Sequence, residues 1–220
     1  DRARYAGDPG FIEVPTHALA SKAYAAQRFA LFSPERVLDA TTLAAGDPMP
    51  YESPSTTHFS VVDAEGNAVS NTYTIGSDFG AGVMAEGTGF LLGNLVGNFS
   101  LQAQRDMQTD PSRTTSNVIG AGRRPVSSMS PTLLLRDGKV RMVTGSPGGN
   151  TIPGTVMQTI VDVVDFGMNI AEASSQPRIH QDMRSGTLQV ERGFSPDTLS
   201  LLRGLGHRIE AGETIGSTQI

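Results

Sequence analysis

The chain has 220 residues, a length that suits one domain or part of a larger protein, and its 38% hydrophobic and 18% charged residues are ordinary for a globular chain. A net charge of -5 gives no basic footprint for nucleic acid, and no apolar run is long enough to span a bilayer. Cysteine is absent, which removes thiol catalysis, disulfides and cysteine metal sites while leaving the redox compartment open.

The first residues, "DRARYAGDPGF", carry no signal-peptide pattern, and the last, "GETIGSTQI", stop inside a regular pattern. Neither end reads as a natural terminus, so a piece of a longer chain is expected. Residues 16–32 are alanine-rich without Gly or Pro and predict a helix. "SPERVLDA" predicts a second short helix, with Ser33 as N-cap and Pro34 in the first turn. Residues 45–55 are rich in Gly, Pro and Ser and read as an exposed linker.

From Thr57 the pattern changes to strands. "THFSVVD" and "AVSNTYTI" alternate around the turn "AEGN". "TGFLLGN" is a short apolar segment, and residues 101–123 form a long polar loop. "PTLLLRDGKVRMVTG" predicts a second hairpin, with Asp137 and Gly138 at its turn. Helices follow over "TVMQTIVDVVDFGM", over "NIAEASSQ" up to Pro177, and over "SPDTLSLLRGLG" behind an N-cap Ser195. Hairpins rather than strict β-α-β alternation predict an α+β fold built on antiparallel sheet.

A turn centred between Glu65 and Gly66 sets Val62 opposite Ala68, His58 opposite Thr72 and Thr56 opposite Thr74. Opposed Cβ atoms lie about 5 Å apart, within reach of a hydroxyl–hydroxyl hydrogen bond. Such a pair is also an ordinary sheet contact. A nucleophilic Thr56 needs a base, and the chain offers no G-x-S-x-G, S-x-x-K or H-E-x-x-H. Its four histidines, His17, His58, His180 and His207, are scattered, so no metal and no cofactor is expected. The remaining base is the α-amino group of Thr56 itself, released by self-cleavage between Ser55 and Thr56 behind an accessible linker.

"TGSPGGN" follows a strand and precedes a helix. The N–H groups of Gly148 and Gly149 can form an anion-binding nest there, fit for an oxyanion. A turn that only needs glycine would read the same. Ser127 and Ser128 in "RRPVSSMSPTL" can hold a carboxylate or make a polar turn.

In their order, "TTHFSVVDAEGNAVSNTYT", "FGAGV", "RPVSSMSPTL" and "VTGSPGGN" closely resemble the γ-glutamyltransferases (γ-glutamyl transpeptidases), members of the N-terminal nucleophile hydrolases. "GDPGFIEVP" and "YESPSTTH" resemble the end of the family's large subunit and its processing junction, and "QPRIH", "VERGFSPDTL" and "GSTQ" resemble later parts of the small subunit. The resemblance implies a four-layer αββα sandwich, here partial. It divides the chain into residues 1–55, the end of the large subunit with its linker, and residues 56–220, a truncated catalytic small subunit. It further implies scission before Thr56, attack by Thr56 on a γ-glutamyl amide such as glutathione, and transfer of the acyl group to water, an amino acid or a peptide. By position, Thr74 matches the threonine that orients the nucleophile. Gly148 and Gly149 match the oxyanion donors, and Ser127 and Ser128 match the serines that hold the donor α-carboxylate. The partner implied is the large subunit of the same precursor, which supplies an arginine for that carboxylate. The implied location is periplasmic or extracellular.

Three features depart from the family. Gly76 stands where Asn or Glu is usual. In "LLGNLVGNFS", Leu95 stands for Gln or Glu and Asn98 for Asp, positions that bind the donor α-ammonium in the family. These exchanges weaken recognition of a cation by roughly a few kcal/mol. The loop over 101–123 lacks the aromatic lid residue. The departures leave two alternatives beside the γ-glutamyl enzyme. One is a cephalosporin- or glutaryl-type acylase whose donor lacks a free α-ammonium. The other is an unprocessed, non-catalytic homologue.

Overall fold

The computed structural model describes residues 5–38, 55–100, 117–182, 185–212 and 214–220. Residues 45–54 of the linker predicted over 45–55, and residues 101–116 of the loop predicted over 101–123, lie outside these residues. The helix predicted over 16–32 is two helices, α1 (Thr16–Leu19) and α2 (Lys22–Phe29). Ser21 divides them: its backbone is extended, and its hydroxyl accepts the Tyr24 N–H while donating to the Ala18 carbonyl. Side-chain competition of this kind favours a cap over a helix interior. The second predicted helix does not form over 33–38. Ser33 turns back on Glu35 instead, accepting its N–H at 3.3 Å and donating to its carboxylate at 2.8 Å.

The first hairpin pairs β1 (Ser55–Val62) with β2 (Ala68–Gly76) in the expected register: Val62 faces Ala68, His58 faces Thr72 and Thr56 faces Thr74. A register shift between Ser55 and Thr56 places Ser55 opposite Gly76. Alternation gives the hairpin two unlike faces. Phe59, Val61, Val69 and Tyr73 are exposed, while the row with His58, Ser60, Ser70 and Thr72 turns inward.

The second hairpin joins β3 (Thr132–Arg136) to β4 (Lys139–Thr144). Its turn residues Asp137 and Gly138 have φ of 52° and 75°, the left-handed pair that a two-residue hairpin turn needs. Strand β4 lies against both strands of the first hairpin. The Ser70 hydroxyl joins the two hairpins, donating to the Thr144 carbonyl at 2.9 Å and accepting the Thr132 N–H at 3.0 Å. Beyond β4, Gly145 packs on the His58 ring so closely that a Cβ there would overlap it.

Helix α3 (Ile152–Val164) buries Ile152, Thr155, Val156, Thr159 and Val163, one face at helical spacing. Val163 joins Met142 and Ala173 in the core, with Leu134, Ile160, Met168 and Ile220 packed around them. The two buried threonines have partners: Thr155 donates to the Ile215 carbonyl and Thr159 to the Thr155 carbonyl. Helix α4 (Ile170–Ser175) starts at a reciprocal capping box between Asn169 and Glu172. Helix α5 (Pro196–Gly204) starts at Ser195, which accepts the Thr198 N–H.

A third sheet was not predicted. It contains β5 (Ile179–Asp182), β6 (Thr187–Val190) and β7 (Arg208–Ala211), with β5 antiparallel and β7 parallel to β6. The unit β6–α5–β7 is a β-α-β crossover inside a fold expected to use hairpins alone. Buried Arg178 fastens this sheet to its surroundings. It donates to the Ser174 carbonyl and the Thr218 hydroxyl and lies 3.6 Å from Glu191, which also accepts the Ile215 N–H. Helices combined with mainly antiparallel sheets make the chain α+β. No helix among the described residues is long and apolar enough to cross a membrane.

Candidate active site

A small cavity of about 30 Å³ opens where the two hairpins meet the start of α3. Thr56 and Thr74, neighbours across the first hairpin, supply one side. Gly76, Leu95 and Asn98 supply a second, and Ser127, Ser128 and Gly149 a third. Met129 and Ile152 also line it. None of these side chains carries a formal charge.

Each wall has a local cause. The Thr74 hydroxyl oxygen accepts the Gly76 N–H at 3.1 Å, which fixes that oxygen beside the start of the next loop. Gly76 has φ of 95°, and a Cβ on it would run into the Asn94 carbonyl. Asn94 is held there because its N–H donates to the Ile75 carbonyl at 2.6 Å. At Gly76 the wall is therefore backbone, packed against backbone. A 3₁₀ turn over Val96–Asn98 closes with the Asn98 N–H on the Leu95 carbonyl. Asn117 links this wall to the serine wall: its side-chain amide donates to the Asn98 carbonyl at 2.7 Å and accepts the Val126 N–H at 3.2 Å. The Ser127 hydroxyl oxygen accepts the Met129 N–H at 3.1 Å, which turns the serine loop.

Gly148 and Gly149 both have positive φ, 130° and 58°, so the backbone turns sharply between β4 and α3. No described group accepts from either N–H. The Gly148 carbonyl is fixed by the Thr151 N–H and hydroxyl, at 3.1 and 2.8 Å. Behind the loop, Ser146 accepts the Ser217 N–H at 3.0 Å, and Gly216 lies so close that no side chain would fit on it. Of the described residues singled out in the sequence, Gly148 is not in the cavity lining. Gly148 adjoins Gly149, and Ser55 precedes Thr56 in β1.

His58 is two residues from Thr56 on the same face of β1, yet it is engaged elsewhere. Its Nδ1 is 2.7 Å from the Thr72 hydroxyl and its Nε2 is 3.3 Å from the Ser60 hydroxyl. Both ring nitrogens are occupied, so His58 is not a base for Thr56. Burial pushes its pKa below the ordinary histidine value. A depressed folded-state pKa means that the unfolded chain binds the proton more readily, so this group's stabilisation is present above about pH 6.5 and is lost as pH falls through the folded pKa. The urea midpoint of the full-length protein is therefore expected to drop between pH 7.5 and 5. In His58→Gln that drop should be smaller. Equal drops in the two proteins would exclude His58 as the group.

The family model described as gamma-glutamyltranspeptidase matches residues 1–220. The chain is 44% identical over 219 residues to a protein named glutathione hydrolase proenzyme from Escherichia coli strain K12, covering 100% of this chain and 38% of that protein. It therefore spans well under half the length of that relative. Among solved structures, the T380A mutant of the Helicobacter pylori gamma-glutamyltranspeptidase superposes with a TM-score of 0.65 at 40% identity, covering 74% of this chain and 88% of that one. A cephalosporin acylase from Bacillus halodurans superposes with a TM-score of 0.78 at 27% identity, covering 99% of this chain and 37% of that one. With the model matched from end to end and the fold shared, the chain belongs to the gamma-glutamyltranspeptidase family.

Proposed function

We propose that the complete protein is a self-processing N-terminal threonine enzyme that cleaves γ-glutamyl amides through an acyl-enzyme. One observation carries this reading: Thr56 and Thr74 stand opposite each other and share a cavity with Gly149, Ser127 and Ser128. Maturation begins when the Thr56 hydroxyl adds to the Ser55 carbonyl and the acyl group moves from nitrogen to oxygen. Water then cleaves that ester, leaving a carboxylate on Ser55 and a free α-amine on Thr56. The amine takes the hydroxyl proton of Thr56 as its oxygen attacks the donor amide carbonyl. The N–H groups of Gly148 and Gly149 stabilise the oxyanion, and the leaving amine collects the proton. Water or an acceptor amine then attacks the acyl-enzyme and restores Thr56. Thr74, its oxygen fixed by the Gly76 N–H, orients the nucleophile, and Ser127 and Ser128 hold the donor carboxylate.

A second reading has its own observation. The wall formed by Gly76, Leu95 and Asn98 offers no carboxylate to an ammonium. It favours a donor with a terminal carboxylate and no α-amino group, such as a glutaryl amide. The family membership supports three further parts of the proposal. Residues 1–55 end a large subunit and 56–220 belong to the small one. The two complete a four-layer αββα sandwich. The enzyme works in the periplasm or outside the cell, a location supported by resemblance alone.

Mass spectrometry of the purified full-length protein tests the proposal. A fragment whose first residue is Thr56 is expected. A chain that stays intact and cleaves no amide would make it the non-catalytic homologue.

A further inference from the structure

Asp8 precedes Thr56 in the chain, yet it grips the loop that carries the serine pair. Its side chain is 4% exposed. One carboxylate oxygen accepts the Arg124 backbone N–H at 2.9 Å and Nε at 3.2 Å. The other accepts Arg124 Nη2 at 2.7 Å and the Gly10 N–H at 3.0 Å. The grip is thus on backbone as well as charge. Arg124 is three residues from Ser127, with Pro125 between them limiting the backbone freedom. The same N-terminal segment holds the loop a second time, through Phe11, whose ring centroid lies 5.0 Å from the Arg123 guanidinium carbon.

A hollow of about 360 Å³, lined in part by Gly7, Val14, Pro125 and Val126, lies between segment and loop. Among the described residues, the hydrogen bonds of Asp8 tie the segment to the loop beside this hollow. Asn117 carries that position onward, because it ties Val126 to the Asn98 carbonyl on the facing wall.

We propose that Asp8 is a positioning residue for the carboxylate site of Ser127 and Ser128, acting from the other side of the scission point, so that the donor site depends on both polypeptides of the matured enzyme. The proposal rests on the function proposed above, and two measurements separate the two. In the full-length, matured protein, Asp8→Ala should raise KM for glutaryl- and γ-glutamyl-p-nitroanilide by about tenfold or more, with kcat changed by less than about threefold. Asp8→Asn keeps an acceptor oxygen for the Arg124 N–H and should recover part of the loss. A fall in kcat with KM unchanged, or no rescue by Asn, would overturn the proposal. Wild-type protein that cleaves neither anilide would count against the proposed function instead. The second measurement needs no activity: hydrogen exchange on full-length Thr56→Ala with and without Asp8→Ala. Amides over 126–129 should exchange about tenfold faster without Asp8, while those of β3 and β4 keep their rates. Unchanged protection over 126–129, or an equal loss in β3 and β4, would overturn the positioning role.

Discussion

Replacing Thr56 by alanine in the full-length protein is expected to remove two activities at once. Scission between Ser55 and Thr56 should stop, because the hydroxyl that adds to the Ser55 carbonyl is gone. Amide cleavage should fall by a factor on the order of 10⁴–10⁶, the scale seen when a hydroxyl nucleophile is deleted from an acyl-transfer site. Among the described residues, no other hydroxyl in the cavity lining also carries the α-amine that scission would release. The Thr74 oxygen already accepts the Gly76 N–H, and the Ser127 oxygen accepts the Met129 N–H. Thr56→Ser keeps a hydroxyl and an α-amine and should retain both activities in part. Intact-mass measurement and an anilide assay read the two effects separately. A Thr56→Ala protein that still splits at this junction would remove Thr56 from the mechanism.

Asn98→Asp is expected to change which donor the enzyme prefers. On the second reading, with a neutral wall of Gly76, Leu95 and Asn98, the wild-type protein should favour glutaryl-anilide over γ-glutamyl-anilide in kcat/KM. A carboxylate at 98 would give the γ-glutamyl ammonium a charge-assisted partner, a contact worth about 1.5–3 kcal/mol. The preference should therefore move toward γ-glutamyl by about 10- to 100-fold, and Leu95→Gln should add to it by supplying an acceptor. Gly76→Asn is not an equivalent route. Its φ of 95° and the Asn94 carbonyl beside it leave no place for a side chain without moving the backbone. Fast γ-glutamyl hydrolysis by wild-type protein, with glutaryl-anilide untouched, would show that the ammonium is recognised elsewhere.

The hairpin register could be read from the sequence because a short turn leaves few ways to pair two alternating strands. Its orientation could not. Alternation reveals two rows, and the row with His58, Ser60, Ser70 and Thr72 lies inward only because β4 and Gly145 supply partners, as contacts distant in the chain. Ser21 has the same hydroxyl whether it caps or continues a helix, so the break between α1 and α2 was hidden in an alanine-rich run. Strands β5, β6 and β7 have four residues each and mix polar with apolar side chains, which gives periodicity too little length to register. At the site, Thr56, Thr74, Gly76, Leu95, Asn98, Ser127, Ser128 and Gly149 share one cavity. Met129 and Ile152 line it too, and only their places just after the serine pair and the glycine pair pointed to them. The conformation of Gly76, which decides what its wall can hold, depends on a carbonyl brought in by a later loop.

The slip of register between Ser55 and Thr56 bears on how a freshly made amino terminus would be held. Every pair from Thr56–Thr74 to Val62–Ala68 lies on one side of that bond, and among the described residues the pair Ser55–Gly76 lies on the other. A cut there leaves the pairs from Thr56 onward zipped. The new terminus would stay anchored beside Thr74 instead of fraying as loose chain ends do. The conformational entropy of placing the amine would already be lost when the precursor folds, before any donor arrives.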